Sequence, residues 1–260
     1  MIIPRWFSYP SHSREYYIVR YGNFATNGNI KLMYGLLSVA LSIDDYWSEG
    51  SVDCFRILIG STTIWTIVEH YLHKSGTRVI KPMQIHICGT RYNVPIYGSL
   101  VIQGLQEGGL ITTLGLYFGD RIDDPASIIL FHMFLLLSII SVCAQKNLVR
   151  SSRRMVNTRA SLTFIFSITA WDLYSSICLY RDHLTRQIRM FAVMVYFSAW
   201  WTCATWWIGS RQVEVRDNST NQGDIIIKSA VDTFMVLSYD VIFEIGFAYL
   251  IFYNLFICSS

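Results

Sequence analysis

Charge is what this sequence has least of. Asp, Glu, Lys and Arg make up only 15% of it, against about 25% in a soluble domain. Six cysteines (Cys54, Cys88, Cys143, Cys178, Cys203, Cys258) fall one to a segment. The absence of Cys-x-x-Cys spacing excludes zinc-ribbon and dithiol redox readings and leaves packed free thiols. Internal repeats, low-complexity tracts and a phosphate-binding glycine loop are also missing. The net charge of +3 comes from basic residues beside apolar runs. No basic stripe is interleaved with stacking aromatics, which argues against a nucleic-acid partner. The first 29 residues lack a long apolar core and a small-residue cleavage site. They read as an interfacial arm without a removable signal, the first span serving as an uncleaved one.

What is abundant is apolar: 52% hydrophobic and 15% aromatic residues, with a mean hydropathy of +0.35. These residues come in blocks. Five runs, at 94–118, 126–144, 160–180, 190–208 and 231–257, each hold 19 to 27 residues. Roughly 20 residues at 1.5 Å each span a 30 Å hydrocarbon core. Two shorter runs, "LMYGLLSVALSI" (32–43) and "ILIGSTTIWTIV" (57–68), form an antiparallel pair. The expected fold is therefore an all-α, polytopic helical membrane protein of about seven transmembrane helices. It divides into the arm, 1–29, and a single helical membrane domain, 30–258. Membrane lipids are the expected partners, and an endomembrane or the plasma membrane the expected location. The glycines of "QEGGLITTLGLYFG" lie inside a span and mark close helix packing.

Loop charges set the sidedness. The arm (Arg5, Arg14, Arg20, then Lys31), the second loop (Lys74, Arg78, Lys81, Arg91) and the fourth loop, "QKNLVRSSRRMVNTR", are basic. The first loop, "DDYWSEGSVD", and the third, "GDRIDD", are acidic. This alternation predicts a cytosolic N-terminus and an external C-terminus. It breaks at "RDHLTRQIR" (181–189), which should face outward but carries three arginines. The sequon Asn218-Ser219-Thr220 should then be cytosolic and unglycosylated.

Two constellations are candidates for chemistry. His70, His73 and His86 lie within eighteen residues, 69–86, that also hold Glu69. Imidazole binds iron or zinc well, and His70 and His73 at i and i+3 share a helix face. The second constellation is intramembrane: Asp232, Asp240 and Glu244 in the last run, with Asp172, Glu107 and His132 in others. An ionised group at the bilayer centre costs roughly 2.5–3.5 kcal/mol on insertion scales, so such residues face a cavity or a partner. Asp240 and Glu244, one turn apart, call for a shared proton unless a cation or arginine compensates.

The stretch "EHYLHK" resembles the first histidine box of the fatty acid hydroxylase/sterol desaturase superfamily, with Glu69, His73 and Lys74 in its places. "IHICGTRYNVPIYGSLVI" resembles the second box, matched at His86 and Pro95. The resemblance covers roughly residues 55–180 and implies a lipid substrate or ligand at the cytosolic membrane edge. The family's third box is rich in histidine, but here "RSSRR" supplies Arg150, Arg153 and Arg154, followed by Trp171-Asp172. Arginine keeps its proton and cannot ligate a metal. The implied protein is a histidine-depleted relative that binds or acts on lipid and is not a working diiron oxygenase. Two readings of other classes stand beside it. One is a transporter, channel or receptor-like protein using the intramembrane carboxylates. The other is a structural subunit of a homo- or hetero-oligomeric membrane complex.

Overall fold

The computed structural model describes residues 14–22, 27–74, 82–144, 150–217, 225–226 and 229–258. It is mostly helical, at 77%. The chain enters as a strand, β1 (Arg14–Tyr21), followed by α1 (Gly28–Glu49) and α2 (Asp53–Lys74). A hairpin of β2 (Gln84–Ile87) and β3 (Thr90–Asn93) leads into α3 (96–120) and α4 (Pro125–Cys143). Next come β4 (Arg150–Met155), α5 (Arg159–Leu179), α6 (Leu184–Trp207), β5 (Arg211–Asp217), β6 (Ile225–Ile226) and α7 (Ala230–Cys258). The helix bounds follow local chemistry. Asn27, Asp124, Thr158 and Ser229 each cap a helix start by accepting backbone N–H bonds. Gly50, with φ +67°, closes α1 in the left-handed conformation. The Ser127 hydroxyl and backbone N–H hold the Asp124 carboxyl below its ordinary range.

Three of these helices, α4, α5 and α7, are long and apolar enough to cross a membrane. They match three of the five long runs read from the sequence. α7 is central: 56% of its most apolar stretch is buried inside the protein, against 28% for α4. The glycines of α3 do mark close packing. A Cβ on Gly104 would collide with Thr66 Oγ1, and one on Gly108 would lie 2.8 Å from Ser61 O, both in α2. Ser61 and Thr112 hydroxyls meet at 3.0 Å across the same interface.

The sheet corrects the all-α expectation. β4, β1, β5 and β6 form four antiparallel strands in that order. Part of the arm thus forms an integral strand of the sheet, β1; residues 1–13 lie outside those described. Arg154 and Val213 sit opposite Ile18, and Arg211 opposite Arg20. Directly opposed residues share a face. That inner face carries Tyr16, Ile18, Val213 and Val215 into a core with Leu162, Val236 and Tyr239 of the helices. Asn157 seals the junction, accepting from Tyr16 N at 3.0 Å and donating to Arg14 O at 2.9 Å. β2 and β3 turn through Cys88 (φ 48°) and Gly89 (φ 80°), positive at both positions as a type I′ turn requires.

The strands and hairpin gather at one end of the helices, and the connections 50–52, 121–124 and 180–183 at the other. Because β5 pairs with β1, the chain leading to Asn218 starts at the N-terminal strand's end; Asn218 itself lies outside the described residues. The arginines that broke the charge alternation are also accounted for. Arg186 grips Asp120 through two nitrogens, Nε and Nη2 (2.8 and 2.7 Å), and Asp53 at 2.7 Å, while Arg189 pairs with Asp123 at 3.0 Å. Two of the three answer the acids of the first and third loops.

Candidate functional site: a charge cluster beneath the sheet

β4 alternates its side chains between the two faces of the sheet. Arg153 turns outward, its guanidinium 3.6 Å from the centre of the Tyr17 ring and its Nε 3.6 Å from Glu214. Arg154 turns inward and meets α7. Its Nη2 lies 2.8 Å from Asp240 Oδ1 and 2.5 Å from Glu244 Oε2. Arg211, also on the inner face, reaches the other Asp240 oxygen at 3.0 Å and donates to Thr202 at 2.7 Å. Asp240, Glu244 and Arg211 are all buried. Burial alone would lower the Arg154 guanidinium; the charges of Glu244, Asp240 and Glu107 outweigh it and raise it above the usual arginine value.

Glu107 joins the cluster from α3. It accepts from Trp65 Nε1 at 3.0 Å and from Gln103, and Arg20 of β1 stands 3.9 Å away. Gln103 in turn accepts from the buried Lys31 of α1. Three carboxylates on two helices thus face three arginines on three neighbouring strands. Both helices bulge where they present the acids: Leu105–Gly109 and Asp240–Phe247 have π-helical bonding. Such bulges cost regular hydrogen bonding and occur often at functional sites.

The remaining expected polar residues are dispersed. Asp232 exchanges bonds with Ser229, the N-cap, in the first turn of α7 (Asp232 N to Ser229 Oγ 3.0 Å, Ser229 Oγ to Oδ2 2.8 Å), two turns before Asp240. His132 is exposed on α4, bonded to Ile128 O at 2.8 Å and the Tyr196 hydroxyl at 3.2 Å. Asp172 is fully buried near the far end, beside Asn254.

The histidines are dispersed as well. The His70 ring lies 5.9 Å from Tyr97, and His73 is half-buried in the last turn of α2. His86 is exposed on β2, where its backbone pairs with the Asn29 side chain at 2.7 and 2.8 Å and ties the hairpin to α1. Among the described residues, no three His, Cys, Asp or Glu side chains are placed to hold a metal ion. Arg154, at the place of the third box, is committed to α7.

Sequence reasoning named the acids of this cluster but missed Arg20, Arg211, Lys31 and Gln103. Two signals were available. "RQVEVRD" alternates as a half-buried strand does, and Arg20 has the same parity as Tyr16 and Ile18. Comparison with protein-family models, with curated proteins and with solved structures gave no match for this chain.

Proposed function

We propose that all seven helices cross a bilayer and that the sheet lies at its cytosolic face, in an endomembrane or the plasma membrane. The protein is a transporter or receptor-like membrane protein, and the cluster beneath the sheet is the latch between its membrane-face sheet and its helices. One observation carries this reading: a single guanidinium, that of Arg154, bridges Asp240 and Glu244 on a π-bulged segment of the central helix. Buried ion pairs are seldom the cheapest way to stabilise a core, and a switch is a well-attested use for them. When β4 withdraws Arg154, Asp240 keeps Arg211 but Glu244 loses its counter-charge and takes up a proton or another cation. Movement at the sheet and charge uptake in the helices are then one event.

Reconstitution into liposomes tests this reading. The protein should collapse an imposed proton or sodium gradient faster than protein-free liposomes do. Arg154→Lys, which keeps the charge but loses the fork, should change that rate severalfold. Rates equal to the protein-free control reject transport.

A lipid-binding role is the second reading. It is favoured by the apolar and aromatic side chains that α4 and α6 expose, among them Leu136, Leu137, Trp200 and Trp207. Mass spectrometry of purified protein should then find a tightly retained lipid, and near-stoichiometric iron in the same sample would restore the hydroxylase chemistry.

A further inference from the structure

A second polar centre lies at the end of the helices opposite the sheet, and its carboxyl has no such counter-charge. α5 carries Asp172, Ser175 and Ser176 on one face, at i, i+3 and i+4. Across from them stand Gln187 of α6 and Asn254 of α7, and all five are buried. Asn254 Nδ2 donates to Asp172 Oδ1 at 2.9 Å and to Ser175 Oγ at 3.2 Å. Gln187 Nε2 donates to Asn254 Oδ1 at 2.8 Å. Three oxygens of this group have no hydrogen-bond partner among the described residues: Asp172 Oδ2, Gln187 Oε1 and Ser176 Oγ. Gln187 and Asp172 bond the same Asn254 side chain, which ties the two residues into one polar group.

Among the described residues, no Lys, Arg or His forms an ion pair with Asp172. From α6, Arg186 is held by Asp53 and Asp120. From α7, the Tyr253 hydroxyl is 3.2 Å from His183 Nδ1, and Cys258 Sγ is 3.7 Å from Gln187 Nε2. A buried carboxylate without a counter-charge is too costly to persist, so positive charge must come from outside the protein. Hard oxygen donors select a proton or an alkali ion over a soft transition metal. A proton on Oδ2 turns one orphaned oxygen into a donor, and a sodium ion satisfies several at once. Asp172 lies seven residues before Leu179, the last residue of α5, about 10 Å at 1.5 Å per residue, within reach of that face.

We propose that Asp172, with Gln187, Asn254 and Ser176, binds one small monovalent cation, a proton or a sodium ion, entering from the face opposite the sheet. The site is separate from the Arg154 latch, and its test reads binding rather than flux, so either can fail without the other.

The test compares melting temperatures of the full-length protein and Asp172→Asn in detergent between about pH 5 and 9. Choline, potassium and sodium chlorides are matched in ionic strength. A proton held only by the folded state stabilises at low pH, and that stabilisation is lost as pH rises. The wild-type chain should therefore melt progressively lower with rising pH in choline chloride, by several degrees more than Asp172→Asn. If sodium is the ion, sodium chloride but not potassium chloride should restore the wild-type value at high pH and leave the variant unmoved. Should the variant not fold, dicyclohexylcarbodiimide labelling of wild-type protein reads the same site. The adduct on Asp172, located by peptide mass spectrometry, should fall with rising pH or with added sodium. Matching pH and salt responses in both proteins, or an Asp172 adduct that is absent or insensitive to pH and sodium, overturns the proposal.

Discussion

Arg153 and Arg154 are adjacent in sequence and occupy opposite environments. The first lies over the Tyr17 ring on the sheet's outer face, and the second bridges two buried carboxylates. Exposed ion pairs contribute about 0–1 kcal/mol, whereas breaking a buried pair from one side costs roughly 3–5 kcal/mol. Arg154→Gln should thus destabilise the protein by about 3 kcal/mol, toward the low end because the side chain is half-buried, and Arg153→Gln by less than about 1 kcal/mol. Melting in detergent reads the difference. Restoring apolar contact with Arg154→Met and Glu244→Leu together, which leaves Asp240 paired with Arg211, should recover most of the loss. The sequence alone posed Asp240 and Glu244 as a pair needing either a shared proton or a compensating cation. Arg154 and Arg211 are that compensation, and Asp172 is the carboxyl left without it.

Among the elements, helices were far more legible than strands. Runs of 19 to 27 apolar residues announce themselves, because a helix that buries or greases every face needs no pattern beyond composition. β4, "RSSRRM", reads as a polar loop because its inward arginine is chosen for α7 and not for a hydrophobic face. The same reasoning explains the candidate site. Its acids stood out as exceptions within apolar runs, while its arginines looked like ordinary loop charges. Pairing across 86 residues, from Arg154 to Asp240, leaves no local trace. The π bulges at Leu105–Gly109 and Asp240–Phe247 left no signal in the sequence either. The α2–α3 interface gives a sharper prediction. Gly104→Val places atoms inside the van der Waals radius of Thr66 and the Thr62 carbonyl. Overpacking of this kind costs typically 1–3 kcal/mol, and more where backbone must move. Gly104→Val should fold poorly or melt well below wild type, whereas Gly50→Ala, with open space around it and only a positive φ to strain, should lose about 1 kcal/mol.

At the scale of the molecule, charge is sorted by end. Basic strands close one end over α7, and at the other the acids Asp45, Asp53, Asp120 and Asp123 hold Arg121, Arg186 and Arg189. In the proposed arrangement, seven crossings separate these ends by a membrane. Cys88, exposed at the hairpin turn, marks the sheet end, and Ser51, between α1 and α2, marks the other. Sealed vesicles carrying either Cys88 or Ser51→Cys as the sole cysteine can be treated with a membrane-impermeant maleimide, before and after permeabilisation. The two positions should label from opposite sides, with Cys88 on the cytosolic side. Labelling of both from the same side would contradict the account.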